Sequence, residues 1–171
     1  MRKDVLLVDG YNIIGAWEEL RQMKEERLAN ARDRLIERLA EYKAYTGWRV
    51  IIVFDAHLIA GIEKKKLKHD LEVVYTRENE TADERIEKLV IKMASRSVQV
   101  HVATSDLTEQ WVIFAHGALR ISARELEIEM DDIDKKISQR VKDFQEKRPF
   151  SKIALTDEVA EIFEKWRRGI K

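Results

Sequence analysis

Two short, uninterrupted apolar runs, each ending in an aspartate, constrain the fold of this chain more than any other feature of its sequence. Val5–Val8 leads into Asp9, and Val50–Phe54 leads into Asp55. Continuous apolar runs of this length are typical of strands buried on both faces of a parallel sheet. Between them, apolar residues recur every three or four positions from Leu28 to Tyr42, which is the pattern of an amphipathic helix. The segment therefore predicts a β-α-β unit.

The same alternation continues along the rest of the chain. Further strands are predicted at 72–75, 98–102 and 119–122, and further helices at 81–93, 107–116, 126–144 and after 156. Thr81 precedes Glu84 with the spacing of a capping box, which supports a helix start there. Strands that alternate with helices indicate an α/β fold, a three-layer α/β/α domain with a mostly parallel central sheet of about five strands. A chain of 171 residues is long enough for one such domain.

Composition excludes several function classes. The chain has no Cys, which rules out disulfides, zinc-thiolate sites and thiol nucleophiles. Its 32 Lys and Arg balance its 32 Asp and Glu, so any binding to nucleic acid has to use a local basic patch. The sequence shows no apolar run of membrane-spanning length and no signal-peptide pattern. We therefore expect a cytoplasmic protein with no membrane partner.

Carboxylates gather where the predicted strands end. Asp9, Asp55 and Asp106 each close a strand, and Glu80 and Asp83 lie where a strand gives way to a helix. The carboxyl ends of the strands border the functional crevice of an open parallel sheet. Two bare carboxylates about 5 Å apart repel by roughly 3 kcal/mol at an effective dielectric constant of about 20, so converging acids favour a bound cation. Oxygen ligands without Cys indicate Mg²⁺ or Mn²⁺.

A purely structural interpretation of each acid is also available. Asp commonly follows a strand as a turn former, and acids in the first turn favour a helix through its dipole. The convergence of three strand-ending acids with a fourth at an adjacent helix start is what favours a functional site. The other acidic run, residues 125–134, predicts a solvated face of one helix.

Four motifs, in order along the chain, resemble the NYN branch of the PIN-like nucleases. They are Val8–Gly15 (VDGYNIIG), Phe54–His57 (FDAH), Asn79–Asp83 (NETAD) and Thr104–Asp106 (TSD). Residues 108–111 and 117–125 are similar to the YacP-like subgroup, which includes a ribosome-associated endoribonuclease of Gram-positive bacteria. The resemblance implies a single NYN/PIN-like nuclease domain over residues 1–171, with C-terminal helices from about residue 123 packing on it or extending from it.

The resemblance also implies an activity, the hydrolysis of RNA phosphodiester bonds by a metal-dependent endoribonuclease that uses Mg²⁺ or Mn²⁺. The subgroup further implies cleavage of mRNA coupled to translation at the ribosomal A site, with the ribosome as a partner. The metal-binding positions of the family are matched by Asp9, Asp83 and Asp106, and Glu80 is an additional candidate ligand. Asp55 matches the acid that the family has after the second strand, and Asn12 matches the polar residue that orders its site.

Basic and aromatic side chains near the predicted crevice are candidate RNA contacts, since RNA binding combines cations with base stacking. Tyr11 is a candidate for stacking a base. The candidate phosphate-binding residues are Lys64, Lys65, Lys66, Lys68, Arg77, Arg85 and Arg124. Trp17 is expected to anchor a loop, and Trp48, Trp111 and Trp166 are expected to be core or partly buried.

Other functions are less well supported. A non-catalytic RNA-binding or ribosome-binding module of the same fold is the main alternative, and it would be favoured by replaced site acids, whereas all of them are present. A phosphatase with an aspartyl nucleophile would carry a second Asp two residues after Asp9, where Tyr11 stands. A dinucleotide-binding loop would need a glycine spacing that Gly10–Gly15 lacks.

Overall fold

A six-stranded sheet forms the centre of the structure, a computed structural model that describes residues 1–58, 66–68, 70–147 and 157–169. The strands are β1 (Lys3–Asp9), β2 (Arg49–Phe54), β3 (Lys66–Lys68), β4 (Leu71–Tyr75), β5 (Val98–Ala103) and β6 (Leu119–Ile121). They lie in the order β3-β4-β2-β1-β5-β6. All neighbouring pairs are parallel except β3 with β4, which is antiparallel. The mostly parallel sheet is as predicted, with β3 as an added edge strand.

Helices occupy the segments between the strands and the end of the chain. They are α1 (Gly10–Ala16), α2 (Glu18–Glu26), α3 (Leu28–Thr46), α4 (Ala82–Met93), α5 (Glu109–Ala115), α6 (Ala123–Lys147) and α7 (Asp157–Arg167). The capping box predicted for α4 is present, since the amide of Glu84 donates to the hydroxyl of Thr81 at 3.2 Å. The helices α1 and α2 fill a stretch to which the sequence pattern assigned no element.

Side chains of the central strands alternate between two buried layers, which confirms the predicted three-layer fold. Leu6 of β1 belongs to one core cluster together with Leu35 of α3 and Leu126 of α6. Its neighbour Leu7 belongs to a second cluster together with Ile86 of α4. Because both faces of β1 are covered, the residues at the end of this strand are held in a fixed position at the carboxyl edge of the sheet.

The turn from β1 into α1 depends on a glycine. A Cβ atom at Gly10 would lie 2.3 Å from a ring carbon of Phe54, which is far inside van der Waals contact. The start of α1 therefore approaches the end of β2 closely, and the ring centroids of Tyr11 and Phe54 are 5.0 Å apart. This contact holds the carboxyl ends of β1 and β2 side by side.

The chain divides into two compact units, residues 1–133 and residues 134–171. The first unit contains the whole sheet, and the second contains the C-terminal part of α6 together with α7. No helix among the described residues is long and apolar enough to cross a membrane. The single-domain organisation stays a prediction.

Several large apolar side chains of the second unit are exposed. Phe144 in α6 is exposed, as are Ile162, Phe163 and Trp166 in α7, with Trp166 exposed by 70%. The expectation that Trp166 is core or partly buried was therefore wrong. Helical periodicity identifies an amphipathic face but contains no information on whether another surface covers it.

The acidic run at 125–134 is only partly a solvated face. Glu129 accepts a hydrogen bond of 3.1 Å from the hydroxyl of Tyr42, and Asp131 accepts one of 2.8 Å from Arg38. Both partners lie on α3, so these two carboxylates attach the first half of α6 to α3. The charge pattern could not show this, because the two partners, Arg38 and Tyr42, are about 90 residues away in the sequence.

Candidate active site

Asp9, the last residue of β1, lies at the centre of the candidate site. Asp9 is 8% exposed. Its carboxylate accepts a hydrogen bond of 3.4 Å from the amide of Asn12 and thereby caps α1. The carboxyl group of Asp83, in the first turn of α4, lies within hydrogen-bonding distance of Asp9. Burial, followed by repulsion from Asp83 and then from Asp55, raises the pKa of Asp9 from 3.8 to about 7. Near neutral pH the carboxyl group of Asp9 is therefore only partly ionised.

Asn12 connects the first strand end to the loop after β5. Its Oδ1 atom accepts a hydrogen bond of 2.5 Å from the amide of Ser105. The preceding residue, Thr104, is fully buried, and its hydroxyl accepts a hydrogen bond of 3.1 Å from the amide of Asp106. Asn12 and Thr104 together fix the path of this loop, which fits the ordering role that the family resemblance implies for Asn12.

Asp106 is held within its own loop. Its Oδ1 atom accepts hydrogen bonds from the Thr108 hydroxyl at 2.7 Å and from the Thr108 amide at 2.8 Å. These bonds, with a smaller contribution from the positive charge of Arg120, lower the pKa of Asp106. The side chain is therefore ionised at neutral pH, beside the Asn12–Ser105 contact.

Asp55 forms a pair with a histidine after β2. Its Oδ1 atom lies 2.7 Å from Nδ1 of His57 and accepts a second hydrogen bond of 2.9 Å from the His57 amide. Buried Thr76 shapes this turn from the neighbouring strand, because its hydroxyl accepts a hydrogen bond of 2.9 Å from the amide of Ala56. The arrangement fixes Asp55 and leaves most of the His57 ring exposed.

Glu80 has different partners from those expected of a metal ligand. It is buried, and its two carboxylate oxygens accept hydrogen bonds from Arg85 at 2.5 Å and Lys88 at 2.7 Å. Burial alone would raise the pKa of Glu80, but the bonds from Lys88 and Arg85 outweigh it and lower that pKa. Glu80 therefore anchors the loop before α4 to the helix itself. Arg85, a predicted RNA contact, is used in the same ion pair.

The metal-binding potential of the site rests on two carboxyl groups. Among the described residues, no three His, Asp or Glu side chains come close enough to hold a metal ion by themselves. Mg²⁺ is commonly bound by one or two carboxylates, with water and substrate phosphate completing its shell. Asp9 and Asp83 fit that pattern, because a divalent cation can replace the proton that Asp9 retains near neutral pH.

Comparison with known proteins identifies the family. The family model of the YacP-like NYN domain matches residues 6–168, which covers parts of both compact units. The chain belongs to the YacP-like NYN family. It is 57% identical over 166 residues to the YacP protein of Bacillus subtilis (strain 168), a match that covers 97% of this chain and 98% of that protein.

Solved structures agree with this assignment. The crystal structure of Rae1 (YacP) from Bacillus subtilis matches with a TM-score of 0.76 and 57% identity, over 97% of this chain and 95% of that chain. A mutant form of the same protein matches with a TM-score of 0.76 and 53% identity, over 97% and 96% of the two chains. The NYN domain is nuclease-like, and NYN and PIN-like nucleases usually use divalent metals.

The predicted RNA contacts of this NYN chain have varied surroundings. Tyr11 is not a free stacking surface, because its hydroxyl accepts a hydrogen bond of 3.2 Å from Arg32 and its ring packs on Phe54. Arg77 and Arg124 are exposed at the carboxyl edge of the sheet. Lys64 and Lys65 lie outside the described residues, and only the backbone of Lys66 and Lys68, in β3, is described.

Sequence reasoning missed several residues that shape the NYN site. Thr76 and Thr104 are buried at strand ends, and a polar residue directly after an apolar run was the available signal. Arg32, which binds Tyr11, had no local signal.

Trp111 is 77% exposed on α5, so the expectation that it is core or partly buried was wrong. The inner face of α5 is instead provided by Ile113.

Proposed function

We propose that this chain is a metal-dependent endoribonuclease that hydrolyses RNA phosphodiester bonds. The observation that carries the proposal is the buried carboxyl group of Asp9 at the carboxyl edge of a parallel sheet, whose pKa is raised to about 7 by burial and by the neighbouring, exposed Asp83. Maintaining two such groups in contact is costly unless a ligand compensates their charge. A bound cation would compensate that charge, and membership of a nuclease-like family supports a phosphodiester as the substrate that binds beside the cation.

In the proposed mechanism, Asp9 and Asp83 would hold Mg²⁺ or Mn²⁺. When bound there, such a cation would supply charge neutralisation at the scissile phosphate and would make a bound water more acidic. Asn12 keeps Asp9 in place through its amide and positions the loop of Asp106 through its side chain. Asp106 stays ionised because of its bonds to Thr108, and it is available to orient an attacking water.

Asp55 has a different proposed role from the metal-binding acids. Its negative charge helps to keep the pKa of Asp9 high, and its bond to Nδ1 of His57 fixes the orientation of that ring. Substrate contacts are proposed for Arg77 and Arg124, whose exposed guanidinium groups suit phosphate oxygens. The basic segment from Lys64 to Lys68 is proposed to extend this contact.

The substrate is proposed to be mRNA, cleaved in a translation-coupled manner at the ribosomal A site. This finer proposal rests on membership of the YacP-like family and on the family resemblance in the sequence. A protein without net charge has no general attraction for RNA, which agrees with delivery of the substrate by a larger partner.

The experiment that tests the proposal compares cleavage of an mRNA on translating ribosomes with cleavage of the same RNA free, in Mg²⁺ and in EDTA. The natural protein is compared with Asp9→Asn, Asp83→Asn and the control Glu25→Gln, which removes one exposed carboxylate on α2. We expect Mg²⁺-dependent cleavage by the natural protein and the control, and none by the two Asn variants. Ribosome binding without cleavage by any form would instead identify a non-catalytic module.

A further inference from the structure

A cleft of about 540 Å³ opens at the carboxyl edge of the sheet, between the end of β6 and the start of α6. Its polar lining consists of Ser105, Arg120, Ser122, Arg124, Glu127 and Asp131. All of these residues belong to the first compact unit. The cleft is therefore a feature of the nuclease-like unit itself and lies outside the Asp9–Asp83 pair.

Arg120, in the middle of β6, has an incomplete set of hydrogen bonds. Its Nε atom is buried and has no hydrogen-bond partner among the described residues. Leaving a buried charged donor unsatisfied is unfavourable, so native proteins generally provide a partner. A guanidinium group that lines an open cleft with a free donor is suited to an anionic ligand with several oxygens.

The other groups in the cleft favour an anion at the Arg120 end. Arg124 is exposed on the first turn of α6, where the helix dipole also favours negative charge. Of the two acids, Asp131 accepts a hydrogen bond of 2.8 Å from Arg38, which offsets its charge. Glu127 stands one helical turn after Arg124 and is half-buried. The lining thus has two arginines and two acids, and the charge of one of these acids, Asp131, is already offset by Arg38 outside the cleft.

The cleft is connected to the candidate active site through Ser105. The amide of Ser105 is bound by Asn12, whose own amide is bound by Asp9. Ser105 also directly precedes Asp106 in the chain. An RNA strand whose scissile phosphate lies at Asp9 would thus meet the cleft next along the edge of the sheet.

We infer that this cleft binds a backbone phosphate of the RNA adjacent to the scissile phosphate, with Arg120 and Arg124 as its ligands. The inference rests on the proposed function and adds a second phosphate subsite to it. Arg120 becomes a substrate-binding residue that places the strand in register with Asp9. Ser122 is a less suitable ligand, because its hydroxyl accepts a hydrogen bond of 3.1 Å from the amide of Glu125.

The test measures the affinity of a short, fluorescently labelled single-stranded RNA at several salt concentrations. The Asp9→Asn protein serves as background, so that binding is measured without cleavage. Into it are introduced Arg120→Gln, Arg124→Gln and, as a control, Arg96→Gln, an exposed arginine before β5 at the opposite edge of the sheet. We expect each cleft variant to weaken binding about tenfold and to reduce the salt slope by about one, and the control to change neither.

A second measurement locates the phosphate. RNAs that carry one neutral methylphosphonate at successive positions should show one position, beside the cleavage site, where the substitution weakens binding to the background protein. The same substitution should have no further effect in Arg120→Gln. Equal affinities of Arg120→Gln, Arg124→Gln and Arg96→Gln would overturn the inference, as would a uniform methylphosphonate effect in all variants.

Folding is controlled separately, because Arg120 is partly buried. Thermal unfolding of each variant is measured, and Arg120→Lys, which keeps the charge and loses the Nε donor, replaces Arg120→Gln if that protein is unfolded. Arg124 is exposed, so Arg124→Gln tests the subsite in a folded protein in either case. Cleavage by the natural protein with unchanged binding by the arginine variants would refute the subsite alone. Absence of Mg²⁺-dependent cleavage by the natural protein would refute the proposed function.

Discussion

The side-chain oxygen of Asn12 lies 2.5 Å from the amide nitrogen of Ser105, a residue 93 positions further along the chain. The backbone amide of Asn12 donates at the same time to Asp9. A single side chain therefore connects the buried acid of β1 with the loop that carries Asp106. Removing this connection should affect catalysis more than stability.

We predict that Asn12→Ala sharply lowers the rate of RNA cleavage and destabilises the protein by only about 1 kcal/mol, because one exposed amide loses its acceptor. Amide hydrogen exchange at Ser105 should accelerate in this variant. Asn12→Asp is the matched comparison, since a carboxylate can still accept from Ser105, and it should keep the slow exchange. Unchanged exchange at Ser105 in Asn12→Ala would contradict this role of Asn12.

The raised pKa of Asp9 predicts a specific dependence of stability on pH. The native protein binds a proton at Asp9 up to about pH 7, whereas the unfolded chain releases it near 3.8. Between these values the native state binds more protons, so its stability falls as pH rises and becomes level above about pH 7. Asp9→Asn should remove this fall and be more stable than the natural protein at about pH 8 in EDTA.

Divalent cations should restore the stability that the protein loses as the pH rises. Because a cation bound by the Asp9–Asp83 pair stabilises only the folded state, Mg²⁺ or Mn²⁺ should raise the melting temperature of the natural protein above about pH 7. Asp9→Asn and Asp83→Asn should lose most of this response, and Glu25→Gln should keep it. The melting temperatures are measured by differential scanning calorimetry. An equal increase in all four proteins on addition of the cation would show that the cation binds elsewhere.

Glu80 is predicted to contribute to stability through its two cations. Glu80→Gln should destabilise the protein by about 1 to 3 kcal/mol, because Arg85 loses a charged acceptor. The lowered pKa of Glu80 means that its contribution is present above the pKa of the unfolded chain and is lost as pH falls through the native value. Chemical denaturation of both proteins from neutral to acidic pH should show the two curves converging. Loss of Mg²⁺ response with full stability would instead make Glu80 a metal ligand.

Gly10 and Gly15 offer a matched pair of substitutions in the same helix. Gly10→Ala forces a methyl group against the Phe54 ring and should destabilise the protein by about 1 to 3 kcal/mol. Gly15→Ala meets nothing within 4 Å and should leave stability unchanged or raise it by up to about 1 kcal/mol, as Ala is the better helix former. Equal melting temperatures of the two variants would show that the contact between α1 and β2 is not tight.

Much of the fold could be predicted from local patterns. The apolar runs at Val5–Val8 and Val50–Phe54 became the buried strands β1 and β2, and the periodic segment between them became α3. These elements are determined by the burial of both sheet faces, which leaves a signal in consecutive residues. The helices α1 and α2 were missed, because at 7 and 9 residues each is too short to repeat an apolar pattern over several turns.

At the site, too, the local sequence identifies the acids, whereas contacts between distant residues set their properties. Strand ends and the family motifs identified Asp9, Asp55, Asp83 and Asp106, but their partners decide how they behave. Asp9 meets Asp83 and keeps a proton, whereas Asp106 is bound by Thr108 and stays charged. Glu80, although beside them in the sequence, faces two cations of α4.

The sequence by itself determined most of the segments that form strands and helices, and therefore that several carboxylates come to one edge of a parallel sheet. Periodicity and strand-end chemistry depend on neighbours within a few positions, and such information is complete in the sequence. The tertiary structure alone decided that Asp9 and Asp83 touch, that Asn12 reaches Ser105 and that Arg120 lines a cleft with a free donor. Burial and hydrogen bonding between distant residues set pKa values and binding surfaces, and those distances exist only once the chain has folded.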